Sequence, residues 1–94
     1  MDKISITAIF TPKEGAEEQM LQELKKAQQA SIQEEGCLQY DLHKSIEDET
    51  LVLHEQYKDM DALNHHIESD HYKTYRENTA DLVATREVYK VKEI

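Results

Sequence analysis

Glu55, His66 and His71 are the residues of this 94-residue chain whose types and spacing could do acid–base chemistry. Glu55 follows Leu51 and Leu53 at spacing two, so in an extended segment its carboxylate shares their apolar face. A carboxylate buried there without a partner costs several kcal/mol or rises in pKa, so a His, Tyr or Arg is expected beside it. The plainer alternative is a strand-end residue that reaches solvent or braces a helix by an ion pair. His66 comes three residues after Leu63 and one before Ile67, at the margin of an apolar stripe, whereas His65 should face water. His71 falls in the first turn after Ser69, where unpaired backbone N–H groups keep an imidazole neutral and able to accept a proton. Either imidazole could equally be a hydrogen-bonded residue at a core edge or a helix start.

Tyr40, Tyr57, Tyr72 and Tyr75 could line one cavity, with two phenols on strands facing helices that bear the other two. They would supply stacking area and hydroxyl donors to an aromatic substrate, although tyrosine is also ordinary core material in a chain with no Trp and one Phe. Glu55, His66 and His71 have the composition of a two-histidine, one-carboxylate metal set. Five residues separate the imidazoles across a break at Ser69, unlike the i, i+4 spacing of a zinc helix, so no metal is expected. No glycine-rich phosphate loop or paired-cysteine motif is present, and no other cofactor is expected. Cys37 has no neighbouring cation to activate it and reads as a buried structural thiol.

The elements that must position these groups follow from periodicity. Lys3 to Phe10 alternates as a strand, with Ile4, Ile6, Ala8 and Phe10 on one side. Ala16, Met20, Leu24 and Ala27 recur at helical spacing, which predicts a helix from about Glu14 to about Glu34 ending at a left-handed Gly36. Leu38, Tyr40 and Leu42 then share a face of a second strand, and Leu51, Leu53, Glu55 and Tyr57 a face of a third. Asp59 can cap a short helix with Met60, Leu63 and Ile67 on its apolar side, and Ser69 can cap another carrying Tyr72 and Tyr75. Leu82 to Val91 reads as a fourth strand. The order β-α-β-β-α-β predicts a single α+β domain over residues 1–94, ferredoxin-like, with helices on one face of a four-stranded antiparallel sheet. Ile9 and Val52 fall on the opposite face, and an open apolar sheet surface predicts a homodimer.

Composition narrows the partners. The formal net charge of −9 repels phosphate backbones, which argues against nucleic acid. No stretch approaches the ~18 consecutive apolar residues of a membrane helix. Met1 to Ile6 enters the alternating pattern without a basic or apolar leader, so a cytoplasmic setting is expected.

Glu35-Gly36-Cys37-Leu38-Gln39-Tyr40, Glu55-Gln56-Tyr57 and the stretch from Ala62 through His66 and Ser69 to His71 resemble the antibiotic biosynthesis monooxygenase (ABM) family. The resemblance implies a dimeric α+β barrel, built from two sheets. It also implies a cofactor-independent monooxygenase that oxidises a small quinol-like or polyphenolic aromatic with O2. His66 or His71 would then serve as base, Glu55 as orienter, and Tyr40, Tyr57, Tyr72 and Tyr75 as substrate anchors. Tyr57 stands where family members often have Trp, which argues against the haem-degrading branch. Tyr57-Lys58-Asp59 and His71-Tyr72-Lys73-Thr74 also resemble the branch that isomerises a small phosphorylated carbonyl compound. Such a ligand needs cations, and Lys44, Lys58, Lys73, Arg76 and Arg86 are available without any sign in the sequence that they converge. A non-catalytic small-molecule-binding dimer is the third expectation.

Overall fold

The computed structural model describes residues 2–94; Met1 lies outside them. The elements are β1 (Ile4–Pro12), α1 (Glu17–Ser31), β2 (Cys37–Lys44), β3 (Leu51–Tyr57), α2 (Met60–Glu68), α3 (Asp70–Thr79) and β4 (Val83–Val91). The strands form one antiparallel sheet in the order β2-β3-β1-β4, with the helices on one face, as the alternation and helical spacing predict. None of the helices is long and apolar enough to cross a membrane.

Burial follows the pleat. Ile4, Ile6, Ala8 and Phe10 of β1 and Leu51, Leu53, Glu55 and Tyr57 of β3 are buried toward the helices. The larger core joins Phe10, Met20, Leu24, Tyr40, Leu53 and Tyr75 under α1 and α3. A smaller one joins Ile4, Ile6, Tyr57 and Leu63 under α2. Leu63 is fully buried, and a side chain of that size contributes about 1.5–3 kcal/mol when removed from water. It therefore fixes the rotation of α2, and with it the direction of His66 one turn later.

Several local expectations are corrected. Helix α1 is shorter than predicted, starting after Gly15, whose φ of 87° ends the preceding turn, and stopping at Ser31. The chain then tightens through bonds from Glu34 N to Ser31 O and from Cys37 N to Glu34 O. Gly36 is not the left-handed cap expected, since Gly15 is the positive-φ glycine among the described residues. Its constraint is closeness: a Cβ at Gly36 would collide with Ala62 Cβ on α2, while its carbonyl accepts from Lys58 N at 2.9 Å. The β2–β3 register shifts between Cys37 and Gln39, which turns Leu38 out to solvent instead of beside Tyr40. Cys37 is half-buried against both cores, and burial pushes its thiol up, away from reactivity. Met60, at the first position of α2, is exposed.

Candidate active site

Ser69 organises the site. It breaks the helical segment with extended backbone at φ −69° and ψ 151°, closing α2 and opening α3. Its hydroxyl donates to the His66 carbonyl at 2.6 Å and accepts from Tyr72 N at 3.3 Å. Asp59 caps α2 by accepting from Ala62 N at 2.8 Å. The two capped helices meet at an angle that sends His66 and His71 toward the same point.

That point is Glu34, expected only as the end of the first helix and found in the turn three residues beyond α1. One carboxylate oxygen, Oε2, accepts from His66 Nδ1 at 2.8 Å and from His71 Nε2 at 2.7 Å. The tautomers follow from this network: the Nδ1–H of His66 is committed to Glu34, which leaves its Nε2 as a lone-pair acceptor. His66 Nε2 lies 3.6 Å from Glu55 Oε1, and the Tyr57 hydroxyl donates to that same Oε1 at 2.6 Å. The five side chains thus form a row, His71, Glu34, His66, Glu55, Tyr57, running from a partly exposed imidazole into the interior.

Electrostatics sets the protonation states. Burial pushes the Glu55 carboxyl up to about 7, aided by the charge of Glu34 and opposed by the Tyr57 hydrogen bond and the charge of Arg86. Burial lowers His66, outweighing its hydrogen bond to Glu34. Near neutral pH the pair is therefore a neutral imidazole with a free Nε2 beside a carboxyl that can hold or release a proton. Glu34, His66 and His71 also offer ligand atoms within 4.8 Å of one another, the composition of a two-histidine, one-carboxylate metal set. The three side chains meet here through the contacts of both imidazoles with Glu34 Oε2.

His66 and Glu55 open onto a cavity of about 420 Å³ between the sheet and α2–α3, within the range of small-molecule sites. Ile6, Ala8, Phe10, Leu53, Leu63, Ile67 and Val88 give it apolar walls, and Tyr40, Tyr72 and Tyr75 line it as expected. Tyr57 is not among the residues that line it: the ring is fully buried and its hydroxyl donates to Glu55. His71 stands outside this cavity, behind Glu34. Burial also raises Tyr40, Tyr57 and Tyr75, keeping all three as neutral phenols.

Arg76, Arg86 and Lys90 line the cavity as well. Of the cations noted in the sequence, Arg76 and Arg86 converge there with Lys90, which the sequence reading did not single out. Lys44 and Lys58 instead pair with Glu49 and Glu35.

A family model for the antibiotic biosynthesis monooxygenases matches residues 4–78, three of the four strands, α1 and α2, and α3 up to its penultimate residue. The chain belongs to the antibiotic biosynthesis monooxygenase family. This ABM domain is 34% identical over 80 residues to a Mycobacterium tuberculosis protein named "Putative monooxygenase Rv0793", covering 85% of this chain and 79% of the relative. The solved structure of Rv0793 superposes with a TM-score of 0.93 at 29% identity, covering 98% of this chain and 95% of that one. PA3566 from Pseudomonas aeruginosa is similar at a TM-score of 0.93 and 26% identity, covering 100% and 96%. The ferredoxin-like α+β fold read from the alternation is thus the fold of this family.

Proposed function

We propose that this ABM domain is a cofactor-independent monooxygenase that oxidises a small quinol-like or polyphenolic aromatic with O2. The observation that carries this reading is His66: a neutral imidazole whose Nδ1 is tied to Glu34 and whose free Nε2 stands at an apolar, tyrosine-lined cavity beside Glu55. A deprotonated hydroquinone is electron-rich enough to pass an electron to O2, so the protein needs to supply a base, a dry pocket and donors for developing oxyanions. His66 Nε2 takes the phenolic proton. Tyr40, Tyr72 and Tyr75 grip the ring. The semiquinone and superoxide combine at a ring carbon, and His66 hands the phenolic proton to the peroxide. His66 then takes that carbon's C–H proton as the O–O bond breaks and the carbonyl forms, Glu55 protonates the departing peroxide oxygen to water, and the proton left on His66 restores Glu55. One oxygen atom enters the ring and the other leaves as water, all electrons coming from the substrate. His71 acts through Glu34, holding the carboxylate that orients His66.

The same reading includes a homodimer in a cytoplasmic setting. Ile9 and Val52 lie partly buried on the sheet face away from the helices, the face that also carries exposed Tyr89 and Val91, and a second copy packed there would cover them.

Oxygen-isotope labelling tests the reaction. Metal-stripped, flavin-free protein given labelled O2 and a naphthohydroquinone should yield a hydroxyquinone carrying one labelled oxygen. Quinone formed without label and hydrogen peroxide in equal amount would reduce the protein to a site of simple two-electron oxidation.

A further inference from the structure

The cations at the cavity are unusual for this chain. Acidic residues outnumber basic ones by 20 to 11 over the sequence, yet Arg76, Arg86 and Lys90 face the cavity against a single acid, Glu55. Among the described residues none of the three forms an ion pair, although acids for pairing abound elsewhere on the surface. Arg76 donates to the Tyr72 hydroxyl at 3.2 Å, a contact that leaves its charge uncompensated.

Their placement is built into β4. Arg86, Val88 and Lys90 pair with Phe10, Ala8 and Ile6, whose side chains all point to the helices, while Glu87 and Tyr89 fall on the other face. Lys90 is level with Glu55, because both strands pair with Ile6 there. The Arg86 charge acts on the Glu55 carboxyl and the Tyr75 phenol, drawing both down against burial, and Arg86 lines the cavity with them while remaining exposed to solvent. A neutral hydroquinone in this cavity would partly desolvate three cations and offer them only uncharged hydroxyl oxygens. An anion would receive charge-assisted hydrogen bonds, the stronger kind, from three cations against the one acid, Glu55, among the described lining residues.

We propose that the substrate bears an acidic oxyanion, carboxylate or phosphate, on its aromatic frame, bound by Arg86 with Lys90 and Arg76 while its oxidisable hydroxyl meets His66 and Glu55. The placement of the hydroxyl rests on the oxygenase reading; the recognition of the anion does not.

Equilibrium binding under argon tests it, with a naphthohydroquinone, its ring carboxylate, naphthol and naphthyl phosphate as probes. The anionic member of each pair should bind the folded protein at least about tenfold more tightly than its neutral parent, and the advantage should shrink as salt rises. Arg86→Ala should reduce it severalfold, Lys90→Ala less, and Arg86→Lys should restore part of it; folding of each is checked by circular dichroism. A larger advantage for the carboxylate or for the phosphate names the source of the anion. Equal binding within each pair, an advantage that survives both alanine variants, or no binding of any probe would overturn the proposal. Oxygen uptake is read separately: anion-dependent binding without uptake upholds the anion site and removes the oxygenase reading.

Discussion

Glu34 Oε2 accepts a hydrogen bond from His66 Nδ1 at 2.8 Å across 32 positions of sequence, and this contact decides which nitrogen of His66 is free to act. The carboxylate supports His66 as a base in two ways, fixing the tautomer and favouring the protonated ring once it has taken a proton. Everything else in the site is arranged around that nitrogen.

Replacing Glu34 with Gln keeps an acceptor for the imidazoles and removes the charge. The charge of Glu34 raises both His66 and Glu55, so both should titrate at lower pH in the variant. The pH–rate profile should therefore slide toward acid on both limbs, with kcat lower by roughly 10–100-fold and KM within about twofold, acid–base positioning being worth ~10² to 10⁴ in rate. A profile that keeps both limbs in place would separate Glu34 from the chemistry.

Glu55 gives two linked pH effects. In turnover, the proton it returns to the peroxide is lost above about 7, so kcat/KM should fall on that side, and Glu55→Gln should lack this limb. In stability, a carboxyl raised from 4.5 to about 7 favours the folded state while it is protonated in both states, below about 4.5, and withdraws that contribution as pH rises to about 7. Glu55→Gln should thus gain on the wild type between pH 5 and 8, approaching about 3 kcal/mol from the size of the shift. His66, lowered by burial, acts oppositely, losing stability as pH falls below its ordinary value, and is common to both proteins. Urea denaturation at a series of pH values checks the difference, and a constant gap would show that the carboxyl is not held up by burial.

Gly36 couples the turn that carries Glu34 to the helix that carries His66. Gly36→Ala would force its new Cβ against Ala62 Cβ, a clash between small groups that only backbone movement relieves. Overpacking of that kind costs about 1–3 kcal/mol. Thermal denaturation should show the loss, and turnover should fall in the folded variant because α2 moves away from Glu34. Gly15→Ala, where nothing lies within 4 Å, should also destabilise through its positive φ but leave turnover intact.

The open sheet face predicts association. Light scattering at micromolar concentration should give a dimer mass, and Tyr89→Glu together with Val91→Lys should shift it toward monomer by placing charge on that face. A wild-type monomer at that concentration would remove the sheet-to-sheet pairing.

The pattern of the chain carried a great deal of this. Period-two and helical spacings reveal the strands and helices because each element buries one face, and the same alternation marks Glu55 as a buried carboxylate in need of partners. Those partners, Tyr57 and His66, are of the types expected. Glu34 was not legible, because it sits in a turn, where periodicity assigns no face, and its contacts are 32 and 37 residues away. Gly36 reads as a helix cap in one dimension, since close approach to Ala62 is a tertiary fact. Tyr57 reads as a ligand anchor because sequence shows the face of a residue but not which neighbour claims its hydroxyl. Lys90 was missed because a lone cation on an edge strand looks like solvent-facing charge until the cavity beside it is seen.

His66 Nε2, as the proposed base, should act with no added cofactor. Oxygen consumption by metal-stripped, flavin-free protein, measured against naphthohydroquinones with and without a ring carboxylate and corrected for autoxidation, tests it most directly. Uptake above background should be unchanged by chelator and should fall at least about 100-fold in a folded His66→Ala variant. Uptake that persists in His66→Ala, or that appears only when a metal or flavin is restored, would contradict it.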